Sequence, residues 1–283
     1  MAIERKNSDL NKQKILVTGA SGHLGLNLCK ILTKDNRYYI RAASRSNNKT
    51  LRDHCHELVN FDIRDLDAFR KSASDVDYII HLAAVFNHSE SLRKEIVDTS
   101  VVGAENLLEI AKLKNLKKII YTSSVAVCGI SKVEQLLTEE NVINSDEASL
   151  DPYIHAKKLS HDIIEDGIKK YKLPITILMP SIIIGPNDFR LTPSNSIIKK
   201  FLKFPFNLFY LSGGLNFINV RDVALAHLIS IDKAEIGNKY IVSGHNIKIK
   251  ELVKKINSLT NKKKIIFCLP KQLLILIYYL FKP

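Results

Sequence analysis

Tyr153 and Lys157, in the stretch "YIHAK", stand four positions apart. On a helix that spacing puts both side chains on one face, one turn apart. A phenol beside an ammonium can move protons: a free tyrosine titrates at about 10, and a nearby cation favours its phenolate. The same spacing recurs at Tyr278 and Lys282 in "YYLFK", so the pair alone does not define a catalyst. Upstream, the run "KKIIYTSS" closes on three hydroxyls, Thr122, Ser123 and Ser124. Further upstream, "TGASGHLG" carries glycines at 19, 22 and 25. What these groups can do depends on the elements that hold them.

Those elements alternate. "KILVTG" is a short apolar run ending in glycine, the pattern of a buried parallel strand. Residues 24–34 read as a helix, "YYIRAAS" as a second strand and "YIIHLAA" as another, followed by a helical stretch over about 91–113. "KKIIYTSS" is the next strand, then the helix that bears "YIHAK", then "PITILMPSIIIGP". Strand and helix in turn predict an α/β fold, a Rossmann-like doubly wound parallel sheet. After Gly185 the alternation weakens, and "NDFRLTPSNSIIKKFLKFPFNLFYLSGG" reads as loops and short helices. The expected division is a dinucleotide-binding domain with the catalytic residues over 12–185, and mainly a smaller substrate lobe over 186–283, with some elements returning to the sheet.

The glycine turn lies between the first strand and the first helix, where a dinucleotide site needs it. Gly19 permits the tight turn, Gly22 lets the backbone approach a pyrophosphate, and Gly25 lets the helix pack close. The helix N-terminus then offers free N–H groups to the phosphates. Sites for NAD usually carry an acid at the end of the second strand. Here "IRAASRS" has none. Arg45 stands where the 2′-phosphate of NADP would lie, with Arg41, Lys49 and Arg52 as possible helpers. NADP(H) is therefore favoured, with NAD(H) as the alternative. Asp62, in "FDIRD", suits the adenine amino group or an ordinary helix cap. The C-terminal end of a parallel strand faces the ligand crevice, which brings the three hydroxyls and Tyr153 to one place. Tyr278 has only apolar neighbours, no glycine loop and no serine strand before it.

These pieces, with "HLAA", "SVVGAENLLE", "YTSSVAVCG", "MPSIIIGP" and "NFINVRDVALAH", resemble an extended short-chain dehydrogenase/reductase of the NAD-dependent epimerase/dehydratase family. Within it, "SRS" and "TPSNSIIKKFL" are similar to the dihydroflavonol-reductase-like branch, which includes hopanoid-associated sugar epimerase-like proteins. The resemblance implies that Ser124 holds the substrate oxygen, Tyr153 passes a proton to or from it, and Lys157 lowers the phenol pKa and bonds the nicotinamide ribose. It implies cofactor contacts from Gly19, Ser21, Gly22, His23, Leu24, Gly25, Arg45, Asp62, Ile63, Ala83, Ala84, Tyr153, Lys157, Pro180 and Ile183. Phe86 and His88, in the loop after "HLAA", join Ser124 as expected substrate contacts. Ser100, Ala104 and Cys128 depart from the family pattern, so a cofactor-side bond and one substrate wall should differ.

The implied function is an NAD(P)-dependent reductase or dehydrogenase on a carbonyl/alcohol pair. The alternative is an epimerase or dehydratase on a nucleotide-linked sugar, which uses the same three residues. A non-enzymatic cofactor sensor fits less well, since such proteins tend to lose the Tyr/Lys pair.

Composition sets the remaining bounds. The 283 residues are 46% hydrophobic and 25% charged, as in a globular chain. The four cysteines, Cys29, Cys55, Cys128 and Cys268, are scattered, and no signal-peptide pattern opens the sequence; both fit a cytoplasmic protein. His54, His56, His81, His88, His155 and His161 have no acid or cysteine at ligand spacing, so no metal is expected. The net charge of +13 is concentrated late: from Phe189 onward there are 16 Lys/Arg against 4 Asp/Glu. No basic run is interleaved with aromatics, which argues against a nucleic-acid partner. The apolar end "LLILIYYLF" is too short to span a bilayer and reads as a packed terminal helix, with a peripheral membrane contact as the weaker reading. The expected partner is a small-molecule substrate, and the expected state a homodimer or a monomer.

Overall fold

The computed structural model describes residues 12–46, 48–113, 115–131, 135–203, 208–210, 213–260 and 266–268. The terminal run "LLILIYYLF" and the Tyr278/Lys282 pair lie outside them.

In chain order, β1 (Gln13–Thr18) leads into α1 (His23–Leu32) and β2 (Tyr38–Ser44). A short α2 (Lys49–Arg52), β3 (Glu57–Asn60) and α3 (Leu66–Ser72) follow, then β4 (Tyr78–His81), α4 (Arg93–Leu113) and β5 (Lys118–Thr122). Next come α5 (Ser145–Ser149), α6 (Pro152–Tyr171), β6 (Ile175–Pro180) and β7 (Ile182–Ile184). The rest runs α7 (Pro193–Lys203), β8 (Leu208–Tyr210), β9 (Gly214–Asn219), α8 (Val220–Lys233), β10 (Lys239–Val242), β11 (His245–Lys248), α9 (Ile249–Thr260) and β12 (Ile266–Cys268).

Seven strands form one sheet in the order β10-β6-β5-β4-β1-β2-β3. Every pairing within it is parallel. From β1 the order runs to β2 and β3 on one side, and to β4 and onward on the other. That reversal opens a crevice at the carboxyl ends of β1 and β4. Side chains alternate across a strand. In β1, Leu16 therefore enters one core with Phe69, Ile79, Leu107, Ile119 and Ile164. Ile15 and Val17 enter the other, with Leu26, Leu28, Ile80, Ile120 and Ala224. Burial on both faces is why these strands read as continuous apolar runs rather than alternating ones.

The structure departs from the sequence reading in several places. "PITILMPSIIIGP" reads as one element, but the chain changes sheet at Ser181: β6 stays in the large sheet while β7 joins a three-stranded sheet in the order β11-β9-β7. β3, β9 and β11 are short, partly exposed and polar at their ends, so periodicity does not reveal them. Beyond Gly185, α8 packs on the core and β10 pairs with β6. Lys118 holds α8 there: its buried ammonium donates to the carbonyls of Ser230, Ile231 and Ala234 at 2.8–3.1 Å, satisfying the end of the helix. Among the described residues no helix is long and apolar enough to cross a membrane.

Candidate active site

The crevice is built around the turn after β1. Gly19 has φ +68°, and a Cβ there would lie 2.7 Å from the Ala83 nitrogen. At Gly25 a Cβ would lie 2.3 Å from the Gly19 carbonyl oxygen. Neither position admits a side chain, so the turn stays tight and α1 seats directly against it. Gly22 is the N-cap of α1 and offers no side-chain bond to the first N–H groups. With the helix dipole, such uncapped donors suit a phosphate. Behind the turn, Thr18 Oγ1 lies 3.1 Å from His81 Nδ1, tying the end of β1 to β4. His81 is buried and stacked between Phe69 and Tyr121. Burial, with Lys157 adding to it, pushes its pKa down to about 3. It is a neutral packing group.

On the far side of the turn, Arg45 is exposed at the end of β2, with Nη1 3.6 Å from a Glu95 carboxylate oxygen. Asp62 is gripped by Arg64 at 2.6 Å. That bond, chiefly, holds Asp62 below the usual carboxylate range, and the nearby charge of Arg45 adds to the shift. Arg41 does not join them. It is buried, bonded to Glu57, Asp75 and the Ser72 carbonyl, and is a structural cation under the sheet edge. Lys49 and Arg52 are exposed on α2. Ile63 lies in the core, its carbonyl accepting from Asn106 at 2.9 Å. Leu24 is half-buried on α1, Ala84 is exposed beyond β4, Pro180 closes β6 and Ile183 sits in β7.

The three hydroxyls after β5 separate clearly. Thr122 Oγ1 lies 2.8 Å from Nε2 of buried His227. Ser123 Oγ lies 2.9 Å from Nδ1 of buried His161. Only Ser124 turns toward Tyr153, with which it shares a hydrogen bond. It also accepts from the Ala126 N–H at 3.2 Å, which fixes its rotamer. Tyr153 stands at the start of α6, where Asp151 caps the Tyr153 and Ile154 N–H groups at 2.9 and 3.0 Å and Pro152 occupies the first turn. One turn on, Lys157 is buried and donates to the Thr122 carbonyl at 2.9 Å.

The charges differ from the sequence expectation. Burial raises the Tyr153 pKa above the ordinary phenol value and outweighs the opposing bond from Ser124; the charge of Asp151 raises it further. The lowering expected from Lys157 does not appear. Burial pushes the Lys157 pKa down to about 8 instead, and its ammonium is directed at a carbonyl. At neutral pH the site holds a phenol that is a proton donor, beside a lysine still largely protonated.

Phe86 and His88 cover Tyr153, with ring centroids 4.6 and 5.5 Å from its ring. His88 Nδ1 lies 2.7 Å from Asp151 Oδ2, so the helix cap also orients this imidazole. Cys128 is not a pocket wall: it is buried in the core. Among the described residues no group of three or more His, Cys, Asp or Glu could hold a metal ion. Sequence reasoning missed Asp151, Asn27 and Arg190. An Asp-Pro pair before "YIHAK" is a readable helix-start signal; the other two act across 159 and 169 residues of sequence.

A parallel sheet with a glycine turn at its switch point, and Ser124, Tyr153 and Lys157 beside it, defines a dinucleotide-binding enzyme of the extended short-chain dehydrogenase/reductase type. The chain belongs to the NAD dependent epimerase/dehydratase family, whose profile it matches over residues 15–243. It is 29% identical to sterol demethylase protein B of Methylococcus capsulatus over 261 residues, 92% of this chain and 78% of that protein. It is 26% identical to anthocyanidin reductase of Arabidopsis thaliana, over 85% of this chain and 78% of that one. Its fold is similar to dTDP-glucose 4,6-dehydratase of Bacillus anthracis in complex with NAD, at TM-score 0.76 and 25% identity, covering 91% of this chain and 84% of that one. Reductases and sugar-modifying enzymes are thus both among its relatives.

Proposed function

We propose that the protein is an NADP(H)-dependent oxidoreductase that reduces a carbonyl group or oxidises the matching alcohol. The observation that carries this is the pairing of Ser124 with a protonated Tyr153, while Thr122 and Ser123 are held by buried histidines. Two O–H groups then converge on one substrate oxygen. Ser124 donates to it and holds it. Tyr153 donates its proton as negative charge develops there. In the oxidative direction Tyr153 must first lose its proton, which its raised pKa opposes.

The residues present fit a dinucleotide: Gly19 and Gly25 leave no room for a Cβ and keep the turn tight, and the first N–H groups of α1 have no side-chain cap. The cofactor supplies the hydride chemistry when bound. Gly19, Ser21, Gly22 and Gly25 would hold its phosphates, Asp62 and Ile63 its adenine, Lys157 the nicotinamide ribose and Arg45 a 2′-phosphate. Phe86 and His88 would form the substrate wall above Tyr153.

A second reading, epimerisation or dehydration of a nucleotide-linked sugar with NAD, is favoured by one feature. Glu95 and Asp62 flank Arg45 and lessen the positive field a 2′-phosphate would meet. One experiment separates the two. The protein is incubated with NADPH or NADH and a panel of carbonyl compounds, with nucleotide-linked sugars in parallel. Net loss of NADPH absorbance with a carbonyl supports the first reading. Conversion of a sugar with no net cofactor consumption overturns it in favour of the second.

A further inference from the structure

We infer that segment 186–190, between β7 and α7, is a strap closed over the phosphate-binding turn, and that Arg190 on it is a ligand for the pyrophosphate of the dinucleotide. This rests on reading residues 19–25 as the dinucleotide turn.

Arg190 Nη2 donates to Ser21 Oγ at 3.4 Å. Ser21 lies between Gly19 and Gly22, in the turn itself. A guanidinium has five donors in a rigid fork. One long bond to a hydroxyl leaves most of them open, and among the described residues no carboxylate pairs with Arg190. A cation is thus held at the free N–H groups of α1, where two negative phosphates would sit. A bidentate grip on a phosphate is the geometry to which this fork is best suited.

The strap is built rather than loose. Asn27 is buried in the middle of α1, at 4% exposure, where an unpaired amide would be costly. The strap supplies most of its partners. Asn27 Nδ2 donates to the Pro186 carbonyl at 3.1 Å, and Asn27 Oδ1 accepts from Asn187 Nδ2 at 2.9 Å. His23 Nε2 lies 3.1 Å from the same Pro186 carbonyl, and Lys30 Nζ donates to Asn187 Oδ1 at 3.1 Å. On the other side, one Asp188 carboxylate oxygen accepts from the Thr192 N–H, the Thr192 hydroxyl and Asn195 at 2.6–2.8 Å. Asn187 and Leu191 adopt φ of 66° and 51°. Asparagine tolerates left-handed backbone, but it is uncommon for leucine and persists there where surrounding bonds impose it. Those bonds fix where Arg190 leaves the chain. Arg45 and Arg190 then divide the cofactor: the 2′-phosphate falls to the first and the pyrophosphate to the second.

Three ligands separate these roles: NADPH, ADP, which has the pyrophosphate only, and adenosine 2′-monophosphate, which lacks it. Dissociation constants are measured by calorimetry on the full chain. Arg190→Met keeps the stem and removes the charge. It should weaken NADPH and ADP by about tenfold or more, the size of a lost charge-assisted hydrogen bond, and leave adenosine 2′-monophosphate unchanged. Asn187→Ala, which loosens the strap without touching the turn, should speed NADPH release in stopped flow. ADP binding to Arg190→Met within twofold of wild type overturns the inference, as does a loss confined to adenosine 2′-monophosphate. A wild type that binds no dinucleotide at all sinks the reading of the turn itself, a different result from an unaffected variant.

Discussion

Lys157 Nζ donates to the main-chain carbonyl of Thr122 across 2.9 Å, which ties the Tyr153/Lys157 face of α6 to the end of β5. Because the acceptor is backbone, the side chain of residue 122 is free to serve His227 instead. The bond also sets the depth at which Tyr153, one turn earlier, meets Ser124. A buried ammonium on a carbonyl is an arrangement of moderate stability, and burial lowers its pKa to about 8. The site is therefore sensitive to its proton inventory, and most of its testable consequences concern protons.

Tyr153→Phe should abolish turnover while leaving cofactor affinity intact. The ring and its contacts with Phe86 and His88 remain, and only the donor is lost. General acid catalysis contributes about 10²-fold or more, so a variant that keeps above about a tenth of the wild-type rate would remove Tyr153 from this role.

Ser124→Ala and Ser123→Ala should diverge. The first removes the hydroxyl that meets Tyr153 and should lower kcat/KM without unfolding the protein. The second leaves His161 Nδ1 buried without its partner, costing about 1–3 kcal/mol of stability while the rate largely persists. Steady-state kinetics and urea melts on both variants check this, and the reverse pattern would reassign the catalytic hydroxyl.

NADPH should bind more tightly than NADH, and Arg45→Asp should narrow or reverse the gap. Nicotinamide fluorescence titration measures both. Equal affinities in the wild type would mean that Glu95 and Asp62 neutralise Arg45 and would favour the NAD-dependent alternative.

Acid should destabilise the fold before the carboxylates titrate. Burial lowers the pKa of His81 to about 3, and of His161 and His227 to about 4. Unfolded histidine titrates near about 6.5. Between these values the unfolded chain binds more protons than the folded one, so stability falls as pH drops from 6.5 toward 4. At pH 5 each histidine should cost about 2 kcal/mol by this linkage. Urea melts across that range measure the slope, and His227→Gln should flatten it by roughly one third; a flat wild-type profile would show that these imidazoles are charged in the fold.

The sequence by itself determined the class of the protein. Buried parallel strands need continuous apolar runs, a dinucleotide turn needs glycine where a Cβ would collide, and one helical turn brings a tyrosine over a lysine. Each is a local requirement, so "KILVTG", "TGASGHLG" and "YIHAK" are legible one at a time. What local pattern does not contain, the tertiary structure decided. It assigned Thr122 and Ser123 to histidines 105 and 38 positions away and left Ser124 for Tyr153. It engaged Arg41 with Glu57 and Asp75, split one apolar run between two sheets at Ser181, and raised the Tyr153 pKa through burial. It also carried Arg190 across 169 residues to Ser21. Hydrogen-bond partners and desolvation arise only where distant segments pack together, and no spacing along the chain encodes them.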